Sequence, residues 1–73
     1  MPGTTLFLVQ VFDTRHDSEV MYAVTVAPNP RSAARQVCAA PFGKWTDADV
    51  VRVHSVSGKV SENFAFDTVA PDD

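Results

Sequence analysis

From Thr4 to Phe12 the chain reads Thr-Thr-Leu-Phe-Leu-Val-Gln-Val-Phe, apolar on both alternating sets: Phe7, Val9 and Val11 on one, Leu6, Leu8 and Phe12 on the other. A segment apolar on both sides predicts a strand in the middle of a sheet. Charged and small polar residues from Asp13 to Glu19 then break the pattern and predict a long hairpin loop. Val20 to Ala27 resumes the alternation, with the bulkier set Val20, Tyr22, Val24 and Val26 opposed by Met21, Ala23, Thr25 and Ala27. Val50 to Val56 sets Val51 and Val53 against Arg52 and His54, and Ser57-Gly58 reverses the chain into a fourth strand over Lys59 to Phe66. In that strand Glu62 shares its parity with Val60, Phe64 and Phe66, so it belongs near an edge, at a bulge or in a partnered polar position.

Between the two hairpins lies one helix, about residues 30–40. Asn29 is a favoured N-cap, Pro30 suits the first helical position, where its missing N–H costs nothing, and Pro41 cannot continue the ladder. Ala33, Ala34, Val37 and Cys38 fall on one stripe, and Arg31, Arg35 and Gln36 fall outside it. Such small stripe residues let a helix lie close to a sheet. Beyond it, Trp45 is expected to plug one end of the core, and Thr46 with Asp49 would form a capping box over a single turn. Residues 67–73 read as a flexible acidic tail.

The fold class that follows is α+β, a single β-β-α-β-β domain over residues 1–73 with a four-stranded antiparallel sheet. Placing the doubly apolar first strand in the centre gives the order 2-1-3-4, which is favoured. The alternative, 1-2-3-4, needs a parallel pair and leaves the most apolar strand at an edge, where it would template aggregation.

With 73 residues the chain buries only about 60–65% of the surface it exposes when unfolded, so its core is small. A single cysteine, Cys38, excludes an internal disulfide, and no Cys or His spacing matches a structural zinc site. Association is the remaining reinforcement common to small folds. No signal-peptide pattern and no apolar run near the ~20 residues of a membrane span is present, which predicts a cytoplasmic protein without a membrane partner. A formal charge of −3 with dispersed acids argues against direct nucleic-acid binding.

Candidate chemistry is sparse. Asp13, His16 and Asp17 mix acid and base in one loop, but without a fourth ligand or rigid support they read as a solvated turn. There is no nucleophile–base–acid pattern, no glycine-rich phosphate loop and no paired carboxylates on a rigid scaffold, so neither an enzyme nor a cofactor is expected. The larger signal is the sheet face that one short helix leaves uncovered. If Phe7, Val9, Val11, Tyr22, Val24, Val51, Val53, Phe64 and Phe66 pack beneath the helix, then Leu6, Leu8, Phe12, Met21, Arg52 and His54 form the open face. Apolar anchors with Arg at the margin are what protein contacts favour, and a homodimer stacked through that face explains the same residues.

Tyr22-Ala23-Val24-Thr25-Val26, Ser32-Ala33-Ala34-Arg35-Gln36-Val37 and the hairpin around Val56-Ser57-Gly58-Lys59-Val60 together resemble small phage-encoded anti-CRISPR proteins directed at type I systems. The resemblance implies a stoichiometric inhibitor, in the bacterial host cytoplasm, that docks on a CRISPR effector subunit or its nuclease and blocks DNA recognition or cleavage. It would place acids against a basic nucleic-acid channel, a role that falls to Asp13, Asp17, Glu19, Asp47, Asp49 and Glu62. The alternative function is a self-associating structural or accessory subunit of phage or bacterial origin.

Overall fold

The computed structural model describes residues 3–39 and 48–70. Trp45, the Thr46 cap and Asp47 lie outside the described residues. The chain forms β1 (Thr5–Asp13), a 3-10 turn (Thr14–His16), β2 (Ser18–Ala27), α1 (Pro30–Cys38), β3 (Val50–Ser55), β4 (Ser61–Ala65) and α2 (Phe66–Val69). The four strands make one antiparallel sheet in the order β2-β1-β3-β4, with doubly apolar β1 inside it. This is the favoured expectation, and α1 covers one face.

Local chemistry sets each corner. The Asn29 side chain accepts the Ser32 N–H at 2.8 Å and starts α1 with Pro30 in its first turn, a cap worth about 1 kcal/mol. Ala33, Ala34, Val37 and Cys38 on the inner stripe of α1 are buried against Phe7, Val9, Val11, Val51 and Val53. In the second hairpin Gly58 takes φ 83°, and the buried Ser55 hydroxyl accepts the N–H groups of both Lys59 and Val60 at 3.0 Å. The first hairpin closes on Asp13, whose carboxylate accepts the His16 N–H at 3.3 Å, while Asp17 takes a left-handed φ of 51°.

Two expectations are corrected. Tyr22 and Val24 do not pack beneath the helix and Met21 is not on the open face; the faces of β2 are exchanged. The pairing runs Asp13↔Ser18 and Phe12↔Glu19, then jumps to Val11↔Met21, so Val20 is an extra residue in a bulge. Without it, Val20, Tyr22 and Val24 would stand opposite Val11, Val9 and Phe7; with it, Met21, Ala23 and Thr25 do. Because side chains alternate with period 2, one inserted residue turns the whole strand over. The exchange suits the helix: Ala33 and Ala34 are fully buried, a close approach that Tyr22 and Val24 beneath them would prevent. Thr25 Oγ1 instead reaches Gln36 Oε1 at 2.6 Å, tying β2 to α1.

The second correction concerns the tail. Phe66–Val69 is a helical turn, with the Thr68 hydroxyl donating to Ala65 O at 2.7 Å. Val69 is buried in the core beside α1 and the central strands. The flexible tail expected over residues 67–73 is thus corrected for residues 67–69, and residues 71–73 lie outside the described residues.

Candidate functional site

The register lets the open face be laid out in rows, since directly paired residues share a side of the sheet. The outermost row holds Val26 on β2, Leu6 on β1 and Val56 just past the end of β3, joined by the Val56 N–H donating to Leu6 O at 3.0 Å. The next holds Val24, Leu8 and His54, with Ser61 on β4. Then comes a polar row of Tyr22, Gln10, Arg52 and Asn63, and finally Phe12 between Glu19 and Val50 with Ala65 beyond.

The first two rows form an apolar quadrant next to the β2 edge. Leu6 is 44% exposed, Val24 56%, Val26 53% and Val56 59%, and Tyr22 beside them is 65% exposed. Leu8 and His54 are half-buried between these neighbours. The polar row is internally bonded: Arg52 Nε donates to Asn63 Oδ1 at 3.4 Å, and its guanidinium lies 5.5 Å from the centre of the Phe12 ring. Gln10 Nε2 donates to Glu19 Oε2 at 3.1 Å. An apolar centre beside a polar margin that includes an exposed Tyr and Arg matches the composition of protein contact sites.

Of the anchors expected from sequence, Leu6, Leu8, Phe12, Arg52 and His54 share this face, and Met21 does not, standing half-buried on the helix side. Tyr22, Val24, Val26 and Val56 belong to it and were not expected there. The signal for Tyr22, Val24 and Val26 was the bulky alternating set of β2, which marks a buried or bound face without saying which of the two, and that for Val56 was its shared parity with Arg52 and His54.

The acids are divided. Asp13, Asp17, Glu19 and Asp49 lie at the end of the sheet where β1 meets the first turn, whereas Glu62 sits on β4 opposite Val53. Asp13 is buried and receives His16 Nδ1 at 2.5 Å, which holds its carboxyl below the usual range. Asp49 accepts from the Thr14 N–H at 2.9 Å and from the Thr14 hydroxyl, and these bonds lower it as well. Both carboxylates are occupied in closing the first turn onto β3. Asp17 and Glu19 are exposed; Asp47 is outside the described residues.

Among the described residues no group of three or more His, Cys, Asp or Glu is placed to hold a metal ion. Cys38 is enclosed by the core, and burial pushes its thiol up to about 11, which leaves it protonated and unreactive near neutrality. A hollow of about 300 Å³ beneath the first turn is lined by Phe12, Asp13, Thr14, Asp17, Ser18 and Glu19. No described helix is long and apolar enough to cross a membrane. Compared with protein-family models, curated proteins and solved structures, the chain matches none of them.

Proposed function

We propose that this chain is a small non-catalytic protein-binding module and that it docks through the open face of its sheet. The observation that carries this reading is the quadrant formed by Leu6, Leu8, Val24, Val26 and Val56, which gathers large apolar side chains on one uncovered surface. The fitting partner offers an apolar patch with a hydrogen-bond acceptor or carboxylate opposite Arg52. A surface of this kind reaches useful affinity only when its centre is shielded from water by a rim, and the row of Tyr22, Gln10, Arg52 and Asn63 supplies one side of such a rim.

The finer form of the proposal, supported by the sequence resemblance, is a stoichiometric inhibitor of a type I CRISPR effector complex or its nuclease. Asp17 and Glu19, exposed beyond the polar row, would then face the basic part of the partner, while Asp13 and Asp49 keep the turn in shape. Immobilised chain is tested against purified type I effector complexes and their nuclease. Binding that drops at least tenfold with Leu6→Lys and with Val56→Lys, and several-fold with the pair Asp17→Lys and Glu19→Lys, supports it. Retention of none of these components refutes the inhibitor reading, and binding indifferent to Leu6→Lys and Val56→Lys refutes the face.

A further inference from the structure

β2 is ten residues long and pairs with β1 on one side only. The Val56 N–H donates to Leu6 O, so with the Phe7↔Ser55 register and antiparallel alternation, Leu6, Leu8 and Gln10 direct their backbone groups to β3. Phe7, Val9 and Val11 therefore bond Thr25, Ala23 and Met21. By the same alternation Tyr22, Val24 and Val26 aim their N–H and C=O groups away from the sheet. Among the described residues no backbone partner meets them.

Natural edges are blunted by charge, by proline or by shortness. β2 has none of these from Val20 to Ala27, Val-Met-Tyr-Ala-Val-Thr-Val-Ala, which carries no charge over a length of about 27 Å. A stretch without charge meets a copy of itself without like-charge repulsion, even though the chain carries a net −3. The stretch is also self-complementary about its middle. A two-fold axis through Val24 sets Val24 against its own copy and Tyr22 against Val26 in both directions, and each of these is a residue whose backbone groups point outward. Tyr with Val is a favourable cross-strand pair. On the helix side the same register sets Ala23 against Thr25, both small.

We infer that the β2 edge pairs antiparallel with β2 of a second copy, centred on Val24, to make a continuous eight-stranded sheet. The two apolar quadrants then meet across the axis and form one larger surface on the open side. This pairing is independent of the partner reading above, because it uses the edge of the sheet and not its face.

Sedimentation equilibrium of the full chain is expected to give a doubled mass at high micromolar concentration. Val24→Pro removes an outward N–H that no described residue uses and is tolerated at an edge; it is expected to give the monomer mass with an unchanged far-UV circular dichroism spectrum. Leu6→Lys, on the face but off the edge, is expected to keep the doubled mass. Should Val24→Pro fail to fold, Val24→Cys decides: paired residues of this type lie about 5.5 Å apart at Cα, within reach of a disulfide. Mild oxidation is then expected to link copies at that position and not in Val56→Cys, with buried Cys38 silent. A wild-type chain that stays monomeric overturns the inference, as does a dimer lost with Leu6→Lys and kept with Val24→Pro, or the absence of a Val24→Cys crosslink in the folded protein. A self-pairing chain that captures no partner leaves this inference standing and removes the proposed function; a monomer that captures one does the reverse.

Discussion

The two edges of this sheet are built to opposite specifications. β4 is five residues long, exposes Ser61, Glu62 and Asn63, and runs directly into the α2 turn, whose Val69 is anchored in the core. β2 is twice as long, uncharged from Val20 onward, and lines the open face with Tyr22, Val24 and Val26. Short, polar and tethered strands resist pairing with another chain, and long uncharged ones invite it. In a small domain that contrast is informative, because β4 is protected along its whole length, whereas β2 carries a charge and a bulge only at its start, at Glu19 and Val20.

Ala34→Phe is the severest way to break the contrast. Ala34 is fully buried where α1 lies against the sheet, and a ring there overpacks the small-residue side on which β2 meets the helix, at an expected cost of about 3 kcal/mol; the expected outcome is a large fall of the urea midpoint. Next, Ser55→Ala strikes the defended side by taking away the hydroxyl that accepts from both Lys59 and Val60. Leaving those N–H groups without their acceptor is expected to cost about 2 kcal/mol in urea unfolding and to loosen β4 in hydrogen exchange while β2 keeps its protection.

Acid tests the end of the sheet where Asp49, just before β3, holds the turn between β1 and β2. The folded pKa values of Asp13 and Asp49 are lowered, chiefly by hydrogen bonds from His16 and Thr14 respectively, from a reference of 3.8. Their stabilising contributions are therefore complete above the unfolded value and disappear as pH falls through the lower folded values. The urea midpoint is expected to fall on acidification below about pH 4, and Asp49→Asn is expected to flatten that fall. The smallest effect belongs to Val24→Thr: on an exposed site with good strand propensity it is expected to change monomer stability by no more than about 0.5 kcal/mol in a urea titration. A large loss there would mean that Val24 is buried, contrary to the contrast between the edges.

Much of the fold was legible. The doubly apolar run from Leu6 to Phe12 placed β1 inside the sheet, and Asn29-Pro30 with the Ala33, Ala34, Val37 and Cys38 stripe placed the helix and its inner side. Leu6, Leu8, Phe12, Arg52 and His54 were legible on the open face, because β1 and β3 have no irregularity in their mutual register. Met21 was not, nor were Tyr22, Val24 and Val26, because one bulged residue reverses the parity of every position after it. Val69 was hidden for a different reason: a single apolar residue among acids and small residues carries no periodicity, and only the core reaching it reveals its role.

By itself, then, the sequence determined what is local or periodic: the strands, the capped helix and the centrality of β1. Alternating hydrophobicity states that β2 has a bulky side and a small side, but it is symmetric between core and surface. Only the tertiary structure decided which side went inward, because that depends on the register set by the Val20 bulge and on the space beneath an alanine-faced helix. The same decision put Tyr22, Val24 and Val26 on the open face at an unpaired edge, where the docking surface is proposed.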